Sequence, residues 1–92
     1  MNALRQSVTI VNKRGLHARA SAKFVGAVSA LPNGTQVRVA KGGNEAVGSS
    51  ILGLMMLGAA MGDAIELIVE GDNAENVLQD LVALVGNGFG EE

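Results

Sequence analysis

The segment AIELIVE, residues 64–70, has the clearest strand pattern in the chain. Its apolar Ile65, Leu67 and Val69 recur with a period of two, which is the spacing of a strand with one buried face. The residues between them are partly acidic and point to the other side. We therefore expect a sheet that hides one face and leaves the other open to water.

The charges indicate which strands lie beside this one. All seven basic residues precede all nine acidic ones, which begin at Glu45. Interleaved strands would bring the opposite charges together, and each good cross-strand pair contributes about 0.2–1 kcal/mol. Glu66 and Glu70 are the outward acids of residues 64–70. That segment is therefore predicted to lie between the strands that carry Arg5 and Arg38.

Hydrophobic period and turn residues place the other elements. Alternation of apolar and polar residues predicts further strands over residues 6–11, 35–41 and 45–48. Helical spacing predicts helices over residues 18–31 and 51–57, and a last one from residue 74. The order β-α-β-β-α-β-α predicts an α+β two-layer fold with three helices on one face of an antiparallel sheet.

The helices have apolar faces that should point to the sheet. The first helix is expected to bury Ala18, Ala22, Val25 and Val28. The last helix is expected to begin at an Asp72 or Asn73 cap. Its apolar stripe consists of Ala74, Val77, Leu78, Leu81, Val82 and Val85.

Length and composition restrict the class of protein. A chain of 92 residues buries only about two-thirds of its unfolded surface, so we expect one domain over residues 1–92. The absence of cysteine excludes disulfides and thiolate metal sites and favours the cytoplasm. No continuous apolar run reaches the roughly 20 residues of a membrane span. A net charge of -2 and the lack of aromatics for base stacking disfavour nucleic-acid binding.

His17 is the only histidine, and it stands in Gly15-Leu16-His17-Ala18-Arg19, where a strand is predicted to give way to a helix. A helix start offers unpaired N–H groups and the positive end of the dipole to an anion. A neutral imidazole is a nucleophile at cellular pH without an activating base. His17 is therefore a candidate phosphoryl acceptor. The alternative is a helix cap or a polar surface residue.

Basic residues cluster near His17 and would strengthen an anion site. They are Lys13, Arg14, Arg19 and Lys23. An anion at His17 would meet a positive local field. The alternative is an ordinary solvated surface cluster.

A second candidate feature surrounds the short apolar helix. Ser49 and Ser50 precede it and are expected to act as caps. A phosphate on a capping serine would lie near amide donors and change the local charge by roughly -2. We expect the core to claim at least half of Ile51, Leu52, Met55 and Met56, leaving a small apolar patch for partners.

Two motifs, Gly15-Leu16-His17-Ala18-Arg19 and Ser50-Ile51-Leu52-Gly53-Leu54-Met55, resemble those of HPr, the histidine-containing phosphocarrier of the bacterial phosphotransferase system. The resemblance covers nearly the whole chain. It implies an open-faced β-sandwich with strand order 1-4-2-3. It also implies a stoichiometric carrier in place of a stand-alone enzyme. His17 would take a phosphoryl group at Nδ1 from phospho-enzyme I and pass it to IIA proteins.

The resemblance also implies roles for single residues. Arg19 would hold the phosphoryl oxygens, with the N–H groups of Ala18 and Arg19 as further donors. Ser50 would be a regulatory site for HPr kinase/phosphorylase. Enzyme I and other partners would dock on Ile51, Leu52 and Met55. Neither a cofactor, a metal nor an oligomer is implied, so we expect a monomer.

The chain departs from the family pattern at two positions. Ala20 replaces the usual proline, and Gly26 stands where many sugar-system members have lysine. These departures leave a nitrogen-related regulatory phosphocarrier of the NPr type as an alternative. Another alternative is a binding module controlled by serine phosphorylation, in which His17 is idle. A small RNA-binding α+β domain is a third class, which the charge and composition disfavour.

Overall fold

Four antiparallel strands form one sheet in the order β1-β4-β2-β3. They are β1 (Leu4–Thr9), β2 (Gln36–Lys41), β3 (Asn44–Val47) and β4 (Ala64–Glu70). The computed structural model describes residues 3–91, so the ends of the predicted 1–92 domain lie outside the described residues. The predicted strand order and the central place of residues 64–70 are confirmed.

Three α-helices complete the second layer. They are α1 (Ala18–Ser29), α2 (Ile51–Met56) and α3 (Ala74–Gly86), and a 3-10 turn (Gly88–Gly90) follows them. One hydrophobic core joins the inward side chains of β4 to Phe24, Leu54 and Leu81, which come from α1, α2 and α3 respectively. The expected α+β fold, with three helices on one face of the sheet, is confirmed. No helix within residues 3–91 is long and apolar enough to cross a membrane.

On the solvent-facing side of the sheet, ion pairs join neighbouring strands. Arg5 bonds to Glu66 at 2.9 Å, and Arg38 bonds to Glu70 at 3.3 Å. Ile68 lies between the two arginines in the strand register and is fully buried, although it faces away from the helices. Long arginine side chains can cover apolar surface while their charged ends remain in water. The arginines on β1 and β2 therefore have both a pairing and a covering role.

Replacing Arg38 by glutamate is expected to lower stability by about 1 kcal/mol, because exposed ion pairs contribute a few tenths each and like charges across strands repel. Arg38 pairs with both Glu45 and Glu70 in this structure. The urea midpoint measures the effect. Arg14→Glu is the control, since Arg14 forms no ion pair among residues 3–91. An unchanged midpoint for Arg38→Glu would show that these pairs contribute nothing.

The expected inward face of α1 is wrong for Ala18 and Ala22, which are exposed. Val25 and Val28 are half-buried and pack against the core, as expected. The buried residues of this helix are Ala20, Ser21 and Phe24. Compared with the expectation, the helix is turned about its axis so that its one aromatic side chain, Phe24, enters the core. Ser21 can be buried because its hydroxyl donates to the Leu16 carbonyl at 3.2 Å.

Two smaller expectations also need correction. Asn73 occupies the N-cap position of α3, but its backbone is left-handed and its side chain makes no capping bond. β1 spans Leu4–Thr9 and so begins and ends earlier than the predicted residues 6–11. Ile10 donates to the Asp63 carbonyl and accepts from the Gly62 N–H, so two residues of the adjoining loop face one residue and regular pairing ends at Thr9.

Candidate functional site

Gly15 fixes the loop that leads into α1. Its backbone has φ +63°, and a Cβ atom at this position would lie 2.3 Å from the Ala59 carbonyl oxygen. The next residue, Leu16, donates its N–H to that same oxygen at 3.0 Å and buries its side chain. A side chain at residue 15 would therefore push the two loops apart. Glycine is required here to bring His17 to the helix start.

His17 is the N-cap residue of α1. Its backbone is extended, and its Nδ1 accepts a hydrogen bond from the Arg19 N–H at 3.3 Å. The first intrahelical hydrogen bond of α1 runs from the Ser21 N–H to the His17 carbonyl, at 2.9 Å. The N–H groups of Ala18 and Ala20 come before it and therefore have no acceptor within the helix. The His17 side chain is 21% exposed. Its Nδ1 edge lies against the N–H groups at the start of the helix.

Glu91 contacts the opposite edge of the His17 ring, and the sequence patterns did not predict this contact. Its Oε2 lies 2.6 Å from His17 Nε2. Its Oε1 accepts a hydrogen bond from Asn12 Nδ2 at 3.1 Å. Burial works to raise the pKa of the Glu91 carboxyl, but hydrogen bonds from the imidazole and the amide, together with nearby positive charge, outweigh it and hold the pKa below its ordinary value. Glu91 is therefore an ionised acceptor at neutral pH.

Asn12 connects the two segments that hold the ring. Its Nδ2 also donates to the Gly15 carbonyl, at 2.9 Å, so one amide group binds both the loop before His17 and the carboxylate of Glu91. The side chain is buried. Both bonds need a donor, which fixes the orientation of the amide.

The basic residues predicted near His17 differ in whether their side chains have a partner. The Lys23 side chain has one, since its Nζ donates to the Phe89 carbonyl at 2.7 Å. Lys13, Arg14 and Arg19 form no ion pair among residues 3–91 and are exposed. Arg19 contacts the His17 ring through its backbone N–H and not through its exposed guanidinium.

Ser50 is the N-cap residue of α2. Its Oγ accepts a hydrogen bond from the Gly53 N–H at 2.9 Å, which is the expected capping contact. The serine is half-buried. α2 packs against α1, so the capping serine and the His17 helix belong to neighbouring elements.

The expectation that the core claims at least half of the apolar residues on α2 is wrong. Ile51, Leu52, Met55 and Met56 are all exposed, and Leu52 and Met56 reach 68% and 77%. Leu54 and Leu57 fill the core in their place, because so short a helix has only one inward face. The α2 patch, defined as Ile51, Leu52, Met55 and Met56, is therefore larger than predicted. Exposed apolar surface of this kind is typical of a binding site.

Residues 3–91 contain no group of three or more His, Cys, Asp or Glu side chains that could hold a metal ion.

Comparisons with known proteins give one family. The family model "PTS HPr component phosphorylation site" matches residues 4–87. Phosphocarrier protein HPr of Pseudomonas aeruginosa is 46% identical over 85 residues, covering 91% of this chain and 92% of the relative. Phosphocarrier protein NPr of Shewanella violacea is 40% identical over 91 residues, covering 99% and 98%.

Solved structures agree with this. The crystal structure of HPr-C-His from Thermoanaerobacter tengcongensis superposes with a TM-score of 0.88 at 38% identity, covering 97% of this chain and 98% of that one. A phosphocarrier protein HPr from Bacillus anthracis gives a TM-score of 0.83 at 31% identity, covering 90% and 96%. Since its sequence and its overall fold both match, this chain belongs to the HPr family of phosphocarriers of the phosphotransferase system.

Proposed function

We propose that His17 accepts a phosphoryl group from phospho-enzyme I at Nδ1 and donates it to IIA proteins in the cytoplasm. The observation that carries the proposal is the pair of contacts on the ring. Nδ1 faces the amide of Arg19 at the helix start, and Nε2 is occupied by Glu91. Nδ1 is thus the nitrogen with a lone pair directed to a site that favours an anion.

The transfer needs no activating base. The Arg19 N–H leaves Nδ1, and the freed lone pair attacks phosphorus. A bond forms between Nδ1 and phosphorus, and the bond from phosphorus to the donor breaks with its electron pair leaving on the donor. The phosphoryl oxygens then accept hydrogen bonds from the Ala18 and Arg19 N–H groups. The exposed guanidinium of Arg19 adds charge-assisted donors. Reversal of the same step onto a IIA protein completes the carrier cycle.

Partner docking is assigned to the α2 patch and the basic residues near His17. Ile51, Leu52 and Met55 are exposed on a helix that packs against α1, so an apolar partner surface placed over them also reaches the helix start. Methionine side chains adapt to different surfaces, which suits a carrier that must bind both a donor and an acceptor.

The test is incubation of the protein with phosphoenolpyruvate and enzyme I. We expect one phosphoryl group per chain that is stable in alkali and lost in acid, as a phosphohistidine is, and none when enzyme I is omitted. A chain that gains only acid-stable phosphate, from ATP and a serine kinase, would be a binding module with an idle histidine. That result would contradict the proposal.

Ser50 is proposed as a regulatory site for HPr kinase/phosphorylase. A phosphate on its Oγ could keep the bond from the Gly53 N–H and so leave α2 intact. It would also place roughly two negative charges beside Ile51, which desolvates when a partner docks. Phosphorylation is therefore expected to weaken docking without unfolding the helix.

Ser50→Asp is expected to slow phosphoryl acceptance from phospho-enzyme I about tenfold, because a charged group at the patch opposes docking. Aspartate is a good N-cap residue, so stability should change little. The initial rate at low protein concentration measures the effect. Ser49→Asp is the matched control, since Ser49 is exposed and precedes the cap. Equal rates for Ser50→Asp and wild type would remove the regulatory proposal.

A nitrogen-related carrier is the second candidate function. The observation in its favour is the NPr relative, which is 40% identical and covers 99% of this chain. Gly26 is exposed on α1, so this surface lacks the lysine of many sugar-system members. The two functions are separated by the acceptor: the phosphorylated protein would pass its phosphoryl group to a sugar-permease IIA domain or to a regulatory IIA protein.

A further inference from the structure

The C-terminal strap, residues 88–91, has an unusual backbone. Gly88, Phe89 and Gly90 all have positive φ, at +63°, +57° and +75°. Two of them are glycines, which adopt this conformation freely, but Phe89 is a bulky residue for which it is strained. A strained residue persists only where its surroundings hold it.

Two contacts hold the strap against α1. The Phe89 side chain is buried in the core shared with Phe24. The Phe89 carbonyl accepts the hydrogen bond from Lys23 Nζ at 2.7 Å. With Phe89 fixed in this way, the chain turns through Gly90 and brings Glu91 to the His17 ring.

The contacts of the ring agree on a single tautomer. The Glu91 carboxylate can only accept, so His17 Nε2 must carry the proton that it shares at 2.6 Å. The Arg19 N–H can only donate, so Nδ1 must offer a lone pair. The lowered pKa of Glu91 keeps the carboxylate ionised at neutral pH. Each contact therefore favours the Nε2–H form independently.

We propose that Glu91, delivered by the C-terminal strap and held by Asn12, is a positioning residue for phosphoryl transfer. It keeps the proton on Nε2, which leaves Nδ1 as the nucleophile. When Nδ1 takes the phosphoryl group the ring becomes positively charged, and the carboxylate on Nε2 stabilises that charge. No proton moves in this step. The role rests on the proposed function of His17, but the state of the unphosphorylated ring can be tested without it.

The first experiment is ¹⁵N NMR of the imidazole in the unphosphorylated protein. The wild type is expected to show the Nε2–H tautomer, and Glu91→Ala is expected to show a mixture in which the Nδ1–H form rises several-fold. Glu75→Gln is the control, because Glu75 is an exposed acid in the first turn of α3. A wild-type ring with mixed tautomers, or a Glu91→Ala ring unchanged from wild type, would overturn the proposal.

The second experiment removes the negative charge of the Glu91 side chain and keeps its shape. Glu91→Gln is expected to shift the equilibrium with phospho-enzyme I toward the unphosphorylated protein about tenfold, whereas Glu75→Gln leaves it unchanged. A folded Glu91→Gln protein with the wild-type equilibrium would contradict the role of the carboxylate. A wild-type protein with the Nε2–H tautomer that takes no phosphoryl group would overturn the proposed function, and with it any role of Glu91 in transfer.

Discussion

Alanine in place of His17 is expected to abolish phosphoryl acceptance from phospho-enzyme I completely. His17 is the only histidine and the chain has no cysteine, so no other imidazole or thiol can replace it. The hydroxyl nearest along the chain, that of Ser21, is fully buried and donates to the Leu16 carbonyl. The mass of the protein after incubation with phosphoenolpyruvate and enzyme I measures the result.

The same variant is expected to keep its fold and its affinity for enzyme I. The proposed docking residues are the α2 patch and the basic residues near His17, and the substitution changes none of them. Glu91 retains its bond from Asn12 and its access to water when the ring is removed. Calorimetric titration with enzyme I and a thermal melt check both points. Ser50→Ala is the control that should still take one acid-labile phosphoryl group. An acid-labile phosphate on the His17→Ala protein would show that the acceptor is another residue.

Gly15→Ala is expected to have the largest effect on stability, at about 2–4 kcal/mol, because a steric clash adds to backbone strain. The new Cβ would lie 2.3 Å from the Ala59 carbonyl oxygen and 2.9 Å from the Ala60 Cα, so the loops must separate. The left-handed conformation itself costs an alanine roughly 1–2 kcal/mol. Since Gly15 precedes the residues that place the ring, the rate of phosphoryl acceptance should fall as well.

Gly42→Ala measures the cost of a left-handed alanine without a steric clash, and so separates the two contributions at Gly15. Gly42 has φ +60°, close to the +63° of Gly15, but a Cβ there would meet no atom within 4 Å. Urea denaturation should therefore show a small loss for Gly42→Ala and a distinctly larger one for Gly15→Ala. Only Gly15→Ala should slow phosphoryl acceptance. Equal losses of stability would mean that contact with the Ala59 loop does not constrain residue 15.

The sheet could be predicted because its signals are local and repeated. The alternation in residues 64–70 fixes a strand and its buried face. The ion pairs of Arg5 with Glu66 and of Arg38 with Glu70 join the strands that the charge pattern placed side by side. The α2 cap at Ser50 was predictable for a similar reason, since a capping serine acts within one turn.

The rest of the site depends on contacts between distant parts of the chain. The orientation of α1 is set by Phe24 in the core, whereas the small apolar residues Ala18 and Ala22 fit a solvent-facing position equally well. The contact of Glu91 with His17 requires three successive left-handed residues near the end of the chain. The pair Gly88 and Gly90 is the only sequence signal for that turn, and it does not identify which side chain the turn presents.

The most direct test of the account is NMR of the ¹⁵N-labelled protein after phosphorylation by phosphoenolpyruvate and enzyme I. The account predicts that phosphorus couples to Nδ1 of His17 and that Nε2 of the same ring carries a proton. Phosphorus coupled to Nε2, or found on Ser50 with the His17 ring unmodified, would contradict it.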